Sequence, residues 1–371
     1  MVQLSPEESL LLLSCRVLLG KSDDAVLTSL VQSGPDWSFV LWRAETYQTL
    51  PLLHYHLQRL GLEDAVPDEV QAYLRNWTTV SQARSREQFR ELGRVVAALQ
   101  RLGIDHYVMK GAAIAASVYP DPLLRAMQDL DIMILPRDAW RVQREIYRLG
   151  YKHGVFDPKN GRFTPIFKPI TPQSLRSKHA LHSVTRTVRI AAPIAPTLLP
   201  EAWRRRQLKS FSNSDGTLTV PVFIDFHVSL SPGMALADVW RGASAENLLG
   251  QQVKLQSPTA MLWFSAARLY HEAFQHGTLK LQMFGDIDAI LRVHHDRIDW
   301  AELLVMVKKY KIEPALFYVL SQAQRLYGSP MPAGALELLE PSQSKAPAEH
   351  DWGDILPKLL SRPLVNDFEF A

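Results

Sequence analysis

The chain has 371 residues, 47% of them hydrophobic and 21% charged, with 41 Lys or Arg against 38 Asp or Glu. That length accommodates two or three domains with a sizeable core, and the near-neutral balance excludes both a disordered chain and a polycationic nucleic-acid coat as the default class. A single cysteine, Cys15, excludes an intrachain disulfide framework, and no apolar run reaches membrane-spanning length; acids precede the first Leu run where a secretory leader would be basic, so a cytoplasmic protein is expected.

Ser5-Pro6-Glu7-Glu8 reads as a helix start, with Ser5 as N-cap, Pro6 in the first turn and Glu8 closing a capping box, for a Leu-rich helix ending near Gly20. Asp23 or Asp24 opens another helix, and Trp37 to Leu60 has helical spacing interrupted at Pro51. Pro67 to Leu102 reads as one long amphipathic helix bracing the sheet that follows. Val70, Tyr73, Leu74, Val80, Phe89, Leu92, Val95, Val96 and Leu99 form its stripe, and the Arg and Glu residues between them are assigned to solvent.

His106 to Met109 reads as a short strand, followed by a Lys110-Gly111 turn and a helix over Ala112 to Val118. Then comes the most informative stretch. Asp129 and Asp131 sit two apart, alternating with Leu130, Ile132 and Ile134, so a strand there carries two carboxylates on one face and a core on the other. An Asp-x-Asp pair alone is a weak signal, since most such pairs are solvated or cap helices. Its context strengthens it: Gly111 permits close backbone approach, the helix N-terminus favours an anion, and Lys110 adds a charge. Carboxylates meeting there suit Mg²⁺, which prefers oxygen ligands.

Pro136-Arg137-Asp138 starts a helix that Gly150 stops. Lys152 to Lys209 then holds twelve Lys or Arg against two acids, Asp157 and Glu201, with strand-like pieces at Phe163 to Phe167 and Ala180 to Arg189 and a short helix over Pro196 to Arg206. After the Asn213 to Gly216 turn, Val220 to Leu230 alternates Val222, Ile224 and Phe226 with Phe223, Asp225 and His227. A carboxylate in an apolar strand is costly unless a cation offsets its desolvation, and a metal shared with Asp129 and Asp131 would do so. From about Ala235 the chain reads as helical, and Glu340 to Ala371 as a loosely held tail.

Met109-Lys110-Gly111, Tyr119-Pro120-Asp121-Pro122, Arg125-Ala126-Met127, Asp129-Leu130-Asp131 and Ile224-Asp225-Phe226-His227, in that order, resemble a bacterial branch of the nucleotidyltransferase superfamily built on the DNA polymerase β palm. That branch shows a Leu-Lys-Gly turn, a Tyr-Pro-x-Pro loop, an Arg-Pro-Met-x-Asp-hydrophobic-Asp strand and an Asp-Leu-His-Trp strand. This chain departs at Ala126 and Val228, and has Ala112 where the broader superfamily carries a serine after the glycine.

The resemblance implies an α+β fold: a small mixed nucleotidyltransferase-type sheet flanked by an N-terminal helical region (1–103) and a C-terminal one (233–339), with a palm-like catalytic domain over 104–232 and a tail over 340–371. It implies that Asp129, Asp131 and Asp225 are catalytic and hold Mg²⁺ or Mn²⁺, with Lys110 and Gly111 at the triphosphate. Arg125 either reaches that site or pairs with a carboxylate. His227 packs, orients Asp225 or touches a phosphate, and both are nucleotide-binding candidates. The expected activity moves a nucleoside monophosphate from an NTP to a small molecule, peptide or RNA. An RNA-binding protein using residues 152–209 and an inactive scaffold are the alternatives. His179, His182, His271 and His276 read as surface or cleft-lining residues, and Asp286-x-Asp288 as helical, where positions two apart diverge.

Overall fold

The computed structural model describes residues 4–167, 170, 180–191, 209–230, 234–248, 250–276 and 280–341. The expected helix over Pro196 to Arg206, His179, much of the basic segment and the chain beyond Pro341 lie outside those residues.

Helix α1 (Pro6–Ser14) begins as its sequence dictates: Ser5 Oγ accepts from the Glu8 amide at 3.2 Å and Glu8 Oε2 accepts from the Ser5 amide at 2.8 Å. It stops at Ser14 rather than near Gly20, because Arg16 turns away to pair with Asp23 and Asp288. Gly20 instead caps α2 (Lys21–Gln32), its amide held by Asp23 at 2.9 Å. The interrupted stretch becomes α3 (Trp37–Thr46) and α4 (Leu50–Arg59), with Pro51 in the first turn of the second. The long helix α5 runs over Asp68–Arg101.

Strand β1 (His106–Met109) leads into α6 (Lys110–Val118), which begins two residues earlier than expected, with Lys110 itself at φ 53°. Then follow β2 (Asp129–Ile134), α7 (Ala139–Arg148), β3 (Gly154–Asp157), β4 (Arg162–Pro165), β5 (Val184–Ala191), β6 (Phe211–Ser212) and β7 (Thr217–His227). A short α8 (Leu236–Val239) precedes a hairpin of β8 (Ser244–Leu248) and β9 (Gln251–Leu255). This hairpin corrects the expectation of helix throughout from Ala235: Gly250 takes φ 84° at its turn, and β9 finds an open edge beside β1. The chain continues as α9 (Pro258–His276), α10 (Leu281–Val293), α11 (Trp300–Tyr310), α12 (Glu313–Tyr327) and α13 (Ala335–Leu339).

The described residues gather into two compact units. Among the described residues, one draws on 4–74, 118–120 and the stretch from 258 to 341, and is helical. Its buried polar centre is Asp288, 0% exposed, which accepts from Arg292 at 2.9 Å, Ser329 at 2.7 Å and Arg16 at 3.4 Å, while neighbouring Asp286 accepts from the Tyr119 hydroxyl at 2.8 Å. Gly285 between them has no alternative, since a Cβ there would lie 2.0 Å from the Cys15 carbonyl oxygen. The Phe284 to Asp288 stretch is therefore a packing junction in which each acid has its own partners.

The other unit draws on Arg75–Ser117 and Asp121–Ser257 and contains a mixed sheet of order β5-β7-β2-β1-β9-β8, with β6 beside β7. The pairs β1/β2 and β5/β7 are antiparallel, whereas β2/β7 and β1/β9 are parallel. The fold is thus α+β, with a mixed sheet and helices on both sides of it in sequence. Leu130, Ile132, Ile134, Ile224 and Phe226 are all buried, forming the apolar side of β2 and β7.

The expectation that the charges of α5 face solvent is wrong at two positions. Arg84 is 4% exposed and Glu91 1% exposed. Glu91 accepts from the Tyr151 hydroxyl at 2.6 Å and from Arg186 on β5 at 2.5 Å. Burial alone would raise its pKa, but those two partners outweigh it and hold the carboxyl below its ordinary range. Arg84 donates to the Gln128 carbonyl at 3.4 Å and Gln88 to the Met127 carbonyl at 3.3 Å, so α5 fixes the backbone that enters β2.

Candidate functional site

The parallel pairing of β2 with β7 sets Asp131 level with Asp225 and Met133 level with His227. Residues in register across adjacent parallel strands project to the same face, so residues 129, 131, 223, 225 and 227 share one side of the sheet. On the other flank, Met109 of β1 pairs with Asp131, and the next residue, Lys110, turns back over that face. Three strands therefore deliver three side chains to one point.

At that point Lys110 Nζ lies 2.6 Å from Asp131 Oδ1, His227 Nε2 lies 2.7 Å from the same oxygen, and the two nitrogens are 3.2 Å apart. Asp131 and His227 are buried, with side-chain exposures of 2% and 4%, and Lys110 is largely covered. Asp225 completes the group: ligand atoms of Asp131, Asp225 and His227 all lie within 4.8 Å of one another. Its Oδ1 is buried and has no hydrogen-bond partner among the described residues. A buried carboxylate oxygen without a donor is expensive, and a cation between the two aspartates removes that cost. The residues present thus fit a divalent ion.

Gly111 has no room for a side chain. A Cβ there would lie 2.6 Å from Nη1 of Arg125, itself 9% exposed, so the guanidinium packs directly against the first turn of α6. Lys110, Gly111 and Arg125 form a cationic rim beside the acids, at a helix N-terminus whose amides also favour an anion.

Asp129 shares that face of β2 but is not among the three residues whose ligand atoms lie within 4.8 Å of one another. It begins β2, half-buried, level with Phe223, and its charge acts on Arg84: burial lowers that guanidinium to about 10 even though the charge of Asp129 opposes the shift. Arg84 was not singled out from the sequence. The signal was there, because Arg84, Gln88 and Glu91 continue the helical spacing of the buried stripe between Val80 and Val95.

A family model described as an uncharacterised nucleotidyltransferase matches residues 33–328. The chain belongs to that family. Nothing matches among curated proteins or among solved structures. The nucleotidyltransferase match spans the whole sheet and every candidate residue from Lys110 to His227, together with the Asp286 and Asp288 junction.

The other histidines named from the sequence play no part in that cluster among the described residues. His182 is half-buried with its ring 6.2 Å from that of His153, and His271 is exposed on α9; the side chain of His276 is outside the described residues. Among the described residues no helix is long and apolar enough to cross a membrane.

Proposed function

We propose that the protein transfers a nucleoside monophosphate from an NTP to a hydroxyl or phosphate acceptor carried by a small molecule, a peptide or RNA, with Mg²⁺ or Mn²⁺ as cofactor. The observation that carries this reading is the level placement of Asp131 and Asp225 on adjacent strands, with one Asp225 oxygen buried and without a partner among the described residues. Family membership supports the reaction class.

A divalent ion held by Asp131 and Asp225, with Asp129 as a further ligand, would compensate charge on the transferring phosphoryl group and acidify the attacking hydroxyl. The residues divide the remaining work. Lys110 and Arg125 neutralise the triphosphate, and Gly111 lets the backbone amides of α6 approach it. The acceptor oxygen bonds to the α-phosphorus, the bond from that phosphorus to the α–β bridging oxygen breaks, pyrophosphate leaves, and Asp225 takes the acceptor's proton. Arg84 and Gln88 hold the backbone ahead of Asp129, which keeps the acid-bearing strand in register.

The test is incubation of the protein and a cell extract with NTPs labelled at the α- or the γ-phosphate, with Mg²⁺ or Mn²⁺. Label should reach an acceptor from the α-position only, and Asp131→Asn should abolish it. Transfer of γ-label, or transfer that survives Asp131→Asn, would overturn the reading.

A further inference from the structure

His227 is the buried residue at the centre of the cluster for which nucleotidyl transfer by aspartates alone has no task. Its Nε2 is 3.2 Å from the Lys110 ammonium and 2.7 Å from Asp131 Oδ1. A carboxylate oxygen can only accept, so Asp131 Oδ1 takes hydrogen bonds from both the His227 ring N–H and the Lys110 ammonium, the latter at 2.6 Å. Two donors, from β7 and from the start of α6, thus converge on one carboxylate oxygen, and a metal ion bound there would take the place of the ring proton. The third group within 4.8 Å is the Asp225 carboxylate, whose Oδ1 is buried and has no partner among the described residues. Lys110 occupies only part of what this pocket offers a positive charge.

The donor set around that spot is two carboxylates and one imidazole. Mg²⁺ holds its waters tightly and takes oxygen ligands, whereas an imidazole nitrogen favours first-row transition ions. Side chains buried to this degree cannot swing to solvent, so an ion entering between Asp131 and Asp225 meets the ring nitrogen. The geometry points to His227 as a ligand of the divalent ion, giving the centre a preference for a transition ion such as Mn²⁺ over Mg²⁺, with the Lys110 ammonium leaving Asp131 as the ion enters. This deepens the nucleotidyltransferase reading and rests on its metal site.

The experiment is Mn²⁺ binding to the full-length protein, followed by electron paramagnetic resonance, with Mg²⁺ as competitor and no nucleotide present. Bound Mn²⁺ should show the electron spin echo modulation of a directly coordinated ¹⁴N, and Mg²⁺ should displace it poorly. His227→Phe keeps the bulk of a ring without its nitrogen. It should remove the modulation and weaken Mn²⁺ by about tenfold or more, the scale on which even outer-shell partners of a metal act, with a smaller effect on Mg²⁺. Bound Mn²⁺ without nitrogen modulation, with His227→Phe binding equally well, would overturn the role of His227 and leave the metal-dependent reading intact. No binding by the wild-type chain, with Asp131→Asn behaving identically, would overturn both. Should His227→Phe fail to fold, the modulation in the wild-type protein decides.

Discussion

Asp225 lies level with Asp131 in the neighbouring parallel strand, and its Oδ1 is buried without a hydrogen-bond donor among the described residues. Asp131 is buried and Asp225 half-buried, and two such carboxylates side by side repel unless a cation lies between them. Asp225→Asn should therefore stabilise the metal-free protein by about 1 kcal/mol, in line with relief of an unpartnered buried polar group. It should also abolish any rise in Tm on adding Mn²⁺. Thermal unfolding with and without the ion checks both, and a variant less stable than wild type without metal would contradict the first.

Lys110 is the counter-charge that holds the site together without an ion. Lys110→Met leaves the 2% exposed Asp131 side chain without its ammonium. Breaking one side of such a pair costs about 3 kcal/mol, so chemical denaturation should show a deficit of that order without metal, shrinking as Mn²⁺ is added. A deficit unaffected by the ion would mean that Lys110 and the ion do not share Asp131.

Gly111→Ala should fold, because the atom its new methyl group meets is the end of the Arg125 side chain rather than backbone. Displacing that guanidinium should raise KM for the NTP by about tenfold, the scale of one lost charge-assisted hydrogen bond, with the circular dichroism spectrum unchanged. An unaltered KM would remove Arg125 from the phosphate site.

Much of this site was legible in the sequence, and the limits of that legibility are physical. The acids of β2 and β7 stood out because a carboxylate in an apolar strand demands a reason. The contact of His227 with Asp131 did not, since it depends on the register of two strands whose residues are 96 positions apart. Arg84 and Glu91 were given to solvent because charge is the usual sign of an exposed helix face, yet Asp129, Tyr151 and Arg186, brought in by tertiary structure, make them interior residues. The β8–β9 hairpin was missed because Ser244 to Leu248 is polar and poor in β-branched residues, and its strand state comes from the β1 edge it completes. The capping box at Ser5 and the span of α5 are local features and were read correctly.

Glu91 ties α5 to β5 through Arg186 and to Tyr151. Glu91→Gln should cost about 2 kcal/mol, below the value for a fully buried ion pair because Arg186 is partly exposed. Tyr151→Phe should cost about 1 kcal/mol, one hydrogen bond. Urea denaturation measures both.

His56 makes stability pH-dependent. Its Nε2 donates to the Arg16 carbonyl at 2.8 Å, which leaves Nδ1 buried with no partner for a second proton among the described residues. Burial accordingly lowers its pKa to about 4. Between that value and the ordinary 6.5 the unfolded chain binds more protons than the folded one. Stability is thus complete above pH 6.5 and falls as the pH drops toward 4, by up to on the order of 3 kcal/mol. His56→Gln, which keeps a donor for Arg16, should flatten the slope of unfolding free energy between pH 6.5 and 5. An unchanged slope would assign the pH dependence to other groups.

Anomalous diffraction from crystals of the full chain soaked in Mn²⁺ bears most directly on the metal-dependent site. A single strong peak within bonding distance of carboxylate oxygens of both Asp131 and Asp225 is the predicted result. A crystal saturated with Mn²⁺ that shows no peak between those two residues, with Lys110 still on Asp131, would contradict it.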